Sequence, residues 1–161
     1  SVKVLDAVDI VEGVLGSVAS VVQKSGANLS SDIGPRPMTV LGNVTALNGA
    51  ISNLVTNAIE AGAKNVKIEL VADTKNVMIS VKNDGPMIKP EVRAHIFEPF
   101  YTTKSNGTGL GLAVVAAVAK VHQGDIRLVS NEKETVFTMI IPKYEGVLEP
   151  SESFKDEKSV A

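Results

Sequence analysis

The chain contains no cysteine, which excludes disulfides and thiolate metal sites outright. Its only two histidines, His95 and His122, are far apart in sequence, and that separation argues against a zinc site. There is no excess of positive charge: the net charge of −2 speaks against a non-specific nucleic-acid binder, which needs a basic face. No apolar run approaches the roughly 20 residues of a membrane span, and no signal-peptide pattern opens the chain. A cytoplasmic domain without membrane contact is therefore expected. Because the first residue is Ser1 and not methionine, the expectation is a piece excised from a longer protein, which could itself be membrane-anchored. What remains is the composition of an ordinary globular protein, and 161 residues fit one domain. No internal repeat is visible.

Apolar positions Val8, Val11, Val14, Leu15, Val18 and Val22 recur at helical spacing, with Asp6 or Asp9 as cap and Gly26 as stop. Gly13 and Gly16 weaken this helix. Short strands are expected around Val2–Leu5, Leu29–Ile33 and Met38–Leu41. Leu47, Ile51, Leu54, Val55, Ala58 and Ile59 line a second helix, for which Thr45 is a plausible cap and Gly62 a stop. Two hairpins follow the alternation rule, Val66–Val71 with Val77–Val81 and Asp125–Val129 with Thr135–Ile141. Between them, residues 83–107 show little periodicity beyond a short helix from Pro90 to Phe97, and so long a connection is characteristic of a lid. Thr108–His122 reads as a third helix, rich in Ala and Val and buried on most sides. The expected fold is α+β: a two-layer α/β sandwich, one mixed sheet of about five strands with three helices on one face. Residues 1–143 form the domain, and 144–161 are polar and acidic enough to be a disordered tail.

Four short motifs carry the chemistry. Asn53 and Asn57, four apart, share one helix face. Their amides suit Mg²⁺, which takes oxygen ligands while bridging phosphates, but by themselves they read equally as surface or capping asparagines. Asn83-Asp84-Gly85-Pro86 ends a strand and reads alone as an ordinary turn, although an amide or carboxylate oxygen there can accept from the exocyclic amine of adenine. Phe97-Glu98-Pro99-Phe100-Tyr101 sets three aromatics around a proline. Gly107-Thr108-Gly109-Leu110-Gly111-Leu112 runs into a helix, where flexible backbone and unpaired N–H groups can cradle a phosphate, or simply serve a tight turn.

In this order the four resemble the N, G1, F and G2 boxes of the catalytic ATP-binding domain of sensor histidine kinases, over about Asp6 to Ile141. The FEPFYTTK run followed by GTGLGL carries most of the resemblance, and its wording looks most like the nitrogen-regulation and flagellar-regulation sensor kinases. The resemblance implies a Bergerat ATP fold and the cofactors ATP and Mg²⁺. Asn57 would coordinate Mg²⁺ and Asn53 would hold the phosphate end. Asn83 or Asp84 with Gly85 would read adenine, beside Ile88. Thr103, Lys104, Gly107, Thr108, Gly109, Leu110, Gly111 and Leu112 would close over the phosphates, with Lys104 reaching the γ-phosphate. Phe97, Phe100 and Tyr101 would dock the lid by packing. The catalytic set is then Asn53, Asn57 and Lys104. The implied partners are a dimerisation and histidine-phosphoacceptor domain of the same protein, lying upstream of Ser1, and a response regulator, with a sigma-54-dependent activator as a candidate. The isolated domain is expected to be a monomer.

Aligned on Gly85, this chain has Asn83 where the family has aspartate and Met87 where it has a second glycine. An amide can flip to meet guanine's carbonyl, so weaker discrimination against GTP is expected. Met87 points to a start of the lid that bends less freely. Glu60 stands where many relatives carry a lysine, leaving more of the phosphate contact to Lys104. Neither histidine sits in a His-Glu-x-x-x-Pro setting: His95 falls in the lid, and His122 reads as a cap at a helix C-terminus. The chain is therefore expected to bind ATP without phosphorylating itself. ATP hydrolases of this fold carry a glutamate at the position of Asn53, which argues against that activity. The alternatives are a stand-alone serine kinase of the anti-sigma-factor type and a non-catalytic nucleotide-binding module.

Overall fold

A computed structural model describes residues 1–103, 109 and 111–146. The expected Lys104, Gly107, Thr108 and Leu110 lie outside the described residues, as does the tail from 147 onward. The elements run β1 (Lys3–Asp6), α1 (Ala7–Ser25), β2 (Asn28–Ile33), β3 (Thr39–Gly42), α2 (Val44–Glu60), β4 (Asn65–Ala72), β5 (Asn76–Asn83), the single-turn α3 (Pro90–Arg93), α4 (Gly111–Val121), β6 (Asp125–Ser130) and β7 (Thr135–Pro142).

Five strands form a mixed sheet in the order β2-β4-β5-β7-β6. The hairpins β4/β5 and β6/β7 are antiparallel, and β5 pairs with β7 across the middle. β2 runs parallel to β4, with β3 and α2 making the crossover between them. Alternation puts Val66, Ile68 and Leu70 of β4, Val77, Ile79 and Val81 of β5, and Phe137, Met139 and Ile141 of β7 on one buried face. Against it pack Val11, Val14 and Val18 of α1 and Leu47, Ile51, Leu54 and Val55 of α2, all buried, so the core is a single layer between sheet and helices. Each such side chain contributes about 1.5–3 kcal/mol on leaving water.

Four expectations change. The sheet is not alone: β1 and β3 pair antiparallel as a separate two-stranded ribbon, pairing Lys3 with Gly42 and Asp6 with Thr39. Asp6 explains why, because its carboxylate caps Val8 N–H at the start of α1 and also accepts Met38 N–H at 3.1 Å, tying the entrance of β3 to the end of β1. The cap of α2 is Asn43, not Thr45. Asn43 Oδ1 accepts Ala46 N–H at 2.8 Å, whereas Thr45 is exposed inside the helix. The short helix after Pro90 ends at Arg93, and Phe97 lies beyond it. Finally, α4 is apolar but not enclosed. Only Val115 and Ala119 are buried, while Val114 is 48% and Val121 73% exposed.

Gly13 has a reason to interrupt α1. A Cβ there would come within 3.1 Å of Asn48 Nδ2, so the missing side chain sets how closely α1 and α2 pack. Gly26, at φ 82°, ends α1 as expected.

Candidate nucleotide-binding site

The site is built along one side of α2. The apolar residues of this helix face the core and turn Asn53 and Asn57, both half-buried, to a shared face beside α4. Asn53 Nδ2 donates to the Gly111 carbonyl at 3.3 Å, joining the middle of α2 to the first residue of α4. A Cβ on Gly111 would sit 3.8 Å from Asn53 Oδ1, so the helix start passes directly over this amide. The opening turn of α4 therefore offers its unpaired N–H groups next to two amide side chains.

The second motif arrives at the C-terminal end of the same helix. Asn83 is the last residue of β5, on the buried face of the sheet and only 5% exposed. Its Oδ1 accepts Gly85 N–H at 2.8 Å, which folds the chain into a tight turn. A Cβ on Gly85 would lie 3.7 Å from Ala61, the C-cap of α2, one turn beyond Asn57. Asn83 and Gly85 thus come alongside the end of α2, and Asn53 and Gly111 meet at its middle.

Asp84 points the other way. Its Oδ1 accepts the backbone N–H groups of Lys64 at 2.8 Å and Asn65 at 2.9 Å, and its Oδ2 accepts Asn65 Nδ2 at 2.8 Å. These hydrogen bonds, that from the Asn65 side chain foremost, hold the carboxyl down at about 2. Both oxygens are committed to the turn before β4, so of the two adjacent side chains Asn83 is the one placed toward α2.

Beyond Gly85 the chain is fixed by two residues that sequence patterning did not single out. Ile88 N–H donates to Ser130 Oγ at 2.9 Å, and Ser130 Oγ lies 2.7 Å from Thr135 Oγ1. Both residues are buried at the turn end of the β6/β7 hairpin. Two polar residues at the inner ends of paired strands were the available signal, because buried hydroxyls need partners.

Of the three aromatics, Phe97 docks: its ring meets Phe137 edge-on at 6.0 Å and packs against the core. Tyr101 lies 5.5 Å from the His95 ring, and His95 Nδ1 pairs with Glu98. Phe100 does not dock. It is 75% exposed and takes a positive φ of 68°. Its contribution is made by the backbone, through an N–H that donates to Gly109 O at 2.8 Å. Thr103 is exposed, and Leu112 packs half-buried against the core.

His122 sits, as expected, at the C-terminal turn of α4, but it also reaches α2. It is buried, with Nδ1 beside Val118 O and Nε2 accepting Asn43 N–H. Among the described residues, no group of three or more His, Asp or Glu side chains could hold a metal. The donors that α2 does present are amide oxygens, which fit Mg²⁺ when phosphate and water supply its remaining ligands. No helix of the described residues is long and apolar enough to cross a membrane.

A two-layer sandwich with an asparagine-bearing helix, a turn at the strand end and a glycine-opened helix converging on one side defines a class of nucleotide-binding proteins. The chain belongs to the family of histidine kinase-, DNA gyrase B- and HSP90-like ATPases, whose profile matches residues 42–145. Its relatives within that family are sensor histidine kinases. Sensor histidine kinase CpxA of Escherichia coli (strain K12) is 35% identical over 120 residues, 71% of this chain and 26% of CpxA. Heme sensor protein HssS of Staphylococcus aureus (strain JH9) is 38% identical over 109 residues, 63% of this chain and 23% of HssS. The chain thus spans about a quarter of the length of the curated relatives it matches. Among solved structures, the nucleotide-free catalytic domain of histidine kinase ThkA superposes with a TM-score of 0.81 at 29% identity, covering 89% of this chain and 98% of that one. The domain is the counterpart of the catalytic, ATP-binding part of these kinases, and the mixed five-stranded sheet with helices on one face is their fold.

Proposed function

We propose that this domain binds Mg-ATP and donates the γ-phosphate to a histidine on a separate dimerisation and phosphoacceptor domain of a longer sensor kinase. The observation that carries the reading is the junction of Asn53 with Gly111, beside the turn that brings Asn83 and Gly85 to the end of the same helix. Amide oxygens, a helix N-terminus and a buried polar side chain bordering the space along one side of α2 support it.

Within that space the residues divide the work. Asn53 orients the first turn of α4, whose N–H groups and those around Gly109 bind phosphate oxygens. Asn57 would hold the Mg²⁺, which when bound offsets charge on the phosphates. Asn83 meets the base, while Asp84, Ile88 and Phe97 hold the lid's base and flank in place. Thr103, Lys104, Gly107, Thr108 and Leu110 belong to the closing stretch by sequence, with Lys104 the cation for the γ-phosphate. The acceptor histidine and the proton chemistry at it belong to the other domain. No carboxylate stands at the Asn53 position to activate water, which supports transfer over hydrolysis.

The complex of histidine kinase ThkA with response regulator protein TrrA, 27% identical to this chain and similar at a TM-score of 0.76, supports a response regulator as the next partner. The wording of the FEPFYTTK run is the support for a nitrogen- or flagellar-regulation branch and a sigma-54-dependent activator; the relatives CpxA, HssS and ThkA do not add to it.

The test is twofold. Melting should rise with Mg-ATP and Mg-ADP and lose most of that rise in EDTA. Mixed with a purified acceptor hairpin, the domain should form phosphohistidine from labelled ATP, and Asn57→Ala should abolish it. Phosphoserine on an anti-sigma-system partner, or binding without any transfer, would support the serine-kinase or the binding-module reading instead.

A further inference from the structure

His122 is a buried titratable residue, 7% exposed, that the nucleotide site does not touch. It follows α4 directly. Its Nδ1 lies 2.7 Å from the Val118 carbonyl, one turn back, and its Nε2 lies 3.1 Å from the Asn43 backbone nitrogen. A carbonyl only accepts and a backbone N–H only donates. The two contacts therefore fix one state of the ring: proton on Nδ1, none on Nε2, neutral overall. Gly42 backs the ring so closely that a Cβ there would come within 2.7 Å of His122 Cδ2.

Asn43 is the N-cap of α2, so His122 clamps the end of α4 to the start of α2. At the first residue of α4 and the middle of α2, Asn53 holds Gly111. α2 and α4 are thus antiparallel neighbours fastened at two points, with the clamps about 15 Å apart at 1.5 Å of rise per residue.

We propose that neutral His122 is a positioning residue for nucleotide binding: it sets the axis of α4, and with it the first helical turn over Asn53, and its protonation releases that setting. This rests on the ATP-site reading above. An imidazolium cannot accept the Asn43 N–H, and two donors would then face each other. α4 presents the Val118 carbonyl, β3 presents Gly42 and α2 the Asn43 N–H. The pocket beside the ring is lined in part by Lys143 and Tyr144, and no carboxylate residue is among its described lining residues. Protonation of the ring should therefore loosen the far end of α4 and weaken binding.

The experiment measures Mg-ATP affinity of the 161-residue chain by calorimetry from pH 8 to 5.5, for wild type, His122→Gln and His95→Gln. The titration of the nucleotide's own phosphates is common to all three and cancels in the ratios. At pH 8, His122→Gln should bind several-fold more weakly than wild type, and the gap should close towards pH 5.5. His95→Gln should keep the wild-type pH dependence. A gap that does not change with pH, or a pH step that disappears in His95→Gln, overturns the proposal. Should His122→Gln fail to fold, nitrogen NMR of the wild-type ring decides. The Nδ1–H tautomer must be present at pH 8, and the ring must take up its proton at the pH where affinity falls; the other tautomer or a different midpoint overturns it. Absence of Mg-ATP binding at pH 8 would strike the site reading, not this one. The clamp is then read from the Asn43 amide resonance, and an amide that ignores the ring's titration overturns it.

Discussion

Gly109 and Phe100 pass so closely that a Cβ on Gly109 would sit 2.3 Å from the Phe100 carbonyl carbon. Both take positive φ, 74° and 68°, and Phe100 N–H donates to Gly109 O at 2.8 Å. Phe100 and Gly109 are thus joined through their backbones. An alanine at 109 meets two obstacles, the overlap and a left-handed conformation that costs an L-residue roughly 1–2 kcal/mol. Gly109→Ala is expected to weaken Mg-ATP binding about tenfold or more by calorimetry. Wild-type affinity in this variant would show that the close pass is not needed for the site.

The aromatics give a contrast. Phe97 meets Phe137 against the core, whereas Phe100 stands in solvent. Phe97→Ala should therefore cost about 2–3 kcal/mol of stability, on the scale of a part-buried large-to-small change, and Phe100→Ala less than about 0.5 kcal/mol. Urea denaturation of the two variants separates a packed lid anchor from an exposed ring. Equal losses would contradict this division.

Base choice should follow Asn83. Its Oδ1 is engaged by Gly85 N–H. An aspartate there could keep that bond with one oxygen and accept the adenine amine with the other, which a single amide oxygen does less well. Asn83→Asp is expected to raise the preference for ATP over GTP by about tenfold, in line with the roughly 1.5–3 kcal/mol of a hydrogen bond to a charged group. The affinities for both nucleotides in both proteins provide the check, and an unchanged ratio counts against Asn83 as the base reader.

Asp84 predicts a pH dependence. Its folded-state value, about 2, lies below the ordinary 3.8. A depressed carboxylate stabilises the fold in full above its unfolded value, and the contribution fades as pH falls from 3.8 towards 2. Replacing Asp84 by Asn should thus lower the melting temperature at pH 7, and the difference from wild type should shrink on acidification to pH 2.5. Glu69, lowered by its hydrogen bond with Lys82, titrates in both proteins and leaves the comparison intact. A difference that stays constant from pH 7 to 2.5 would rule out this role for the carboxylate.

The helices α1 and α2, their inward faces, the caps Asp6 and Gly26 and both hairpins follow directly from spacing, because each rests on interactions within a few residues. What escaped depends on partners distant in sequence. Asn43 and Thr45 are both competent caps, and the exit of β3 selects Asn43. Four-residue strands carry too little alternation to name a partner, so the β1–β3 ribbon is invisible before folding. An Ala- and Val-rich segment reads as enclosed, yet α4 lies at the margin of the helix layer and keeps Val114 and Val121 in water. Asp84 and Asn83 look interchangeable in sequence. Lys64 and Asn65, some 20 residues back, are what assign one to the turn and leave the other for the site. The motifs identified the site as a whole, and long-range hydrogen bonds allotted its parts.

The pairing of β5 with β7 has a consequence for how the domain can vary. Each hairpin can form locally, but joining them closes one large loop, which carries the stretch from Asn83 to Gly109, α4 and β6. The entropy of closing a flexible loop grows only with the logarithm of its length, about 0.6 kcal/mol for each doubling. Insertions between Ile88 and Gly109 that leave Phe97 packed on Phe137 should thus leave the global stability of the sheet nearly unchanged. The stretch that the sequence reads as a lid can change its length almost independently of the fold that carries it.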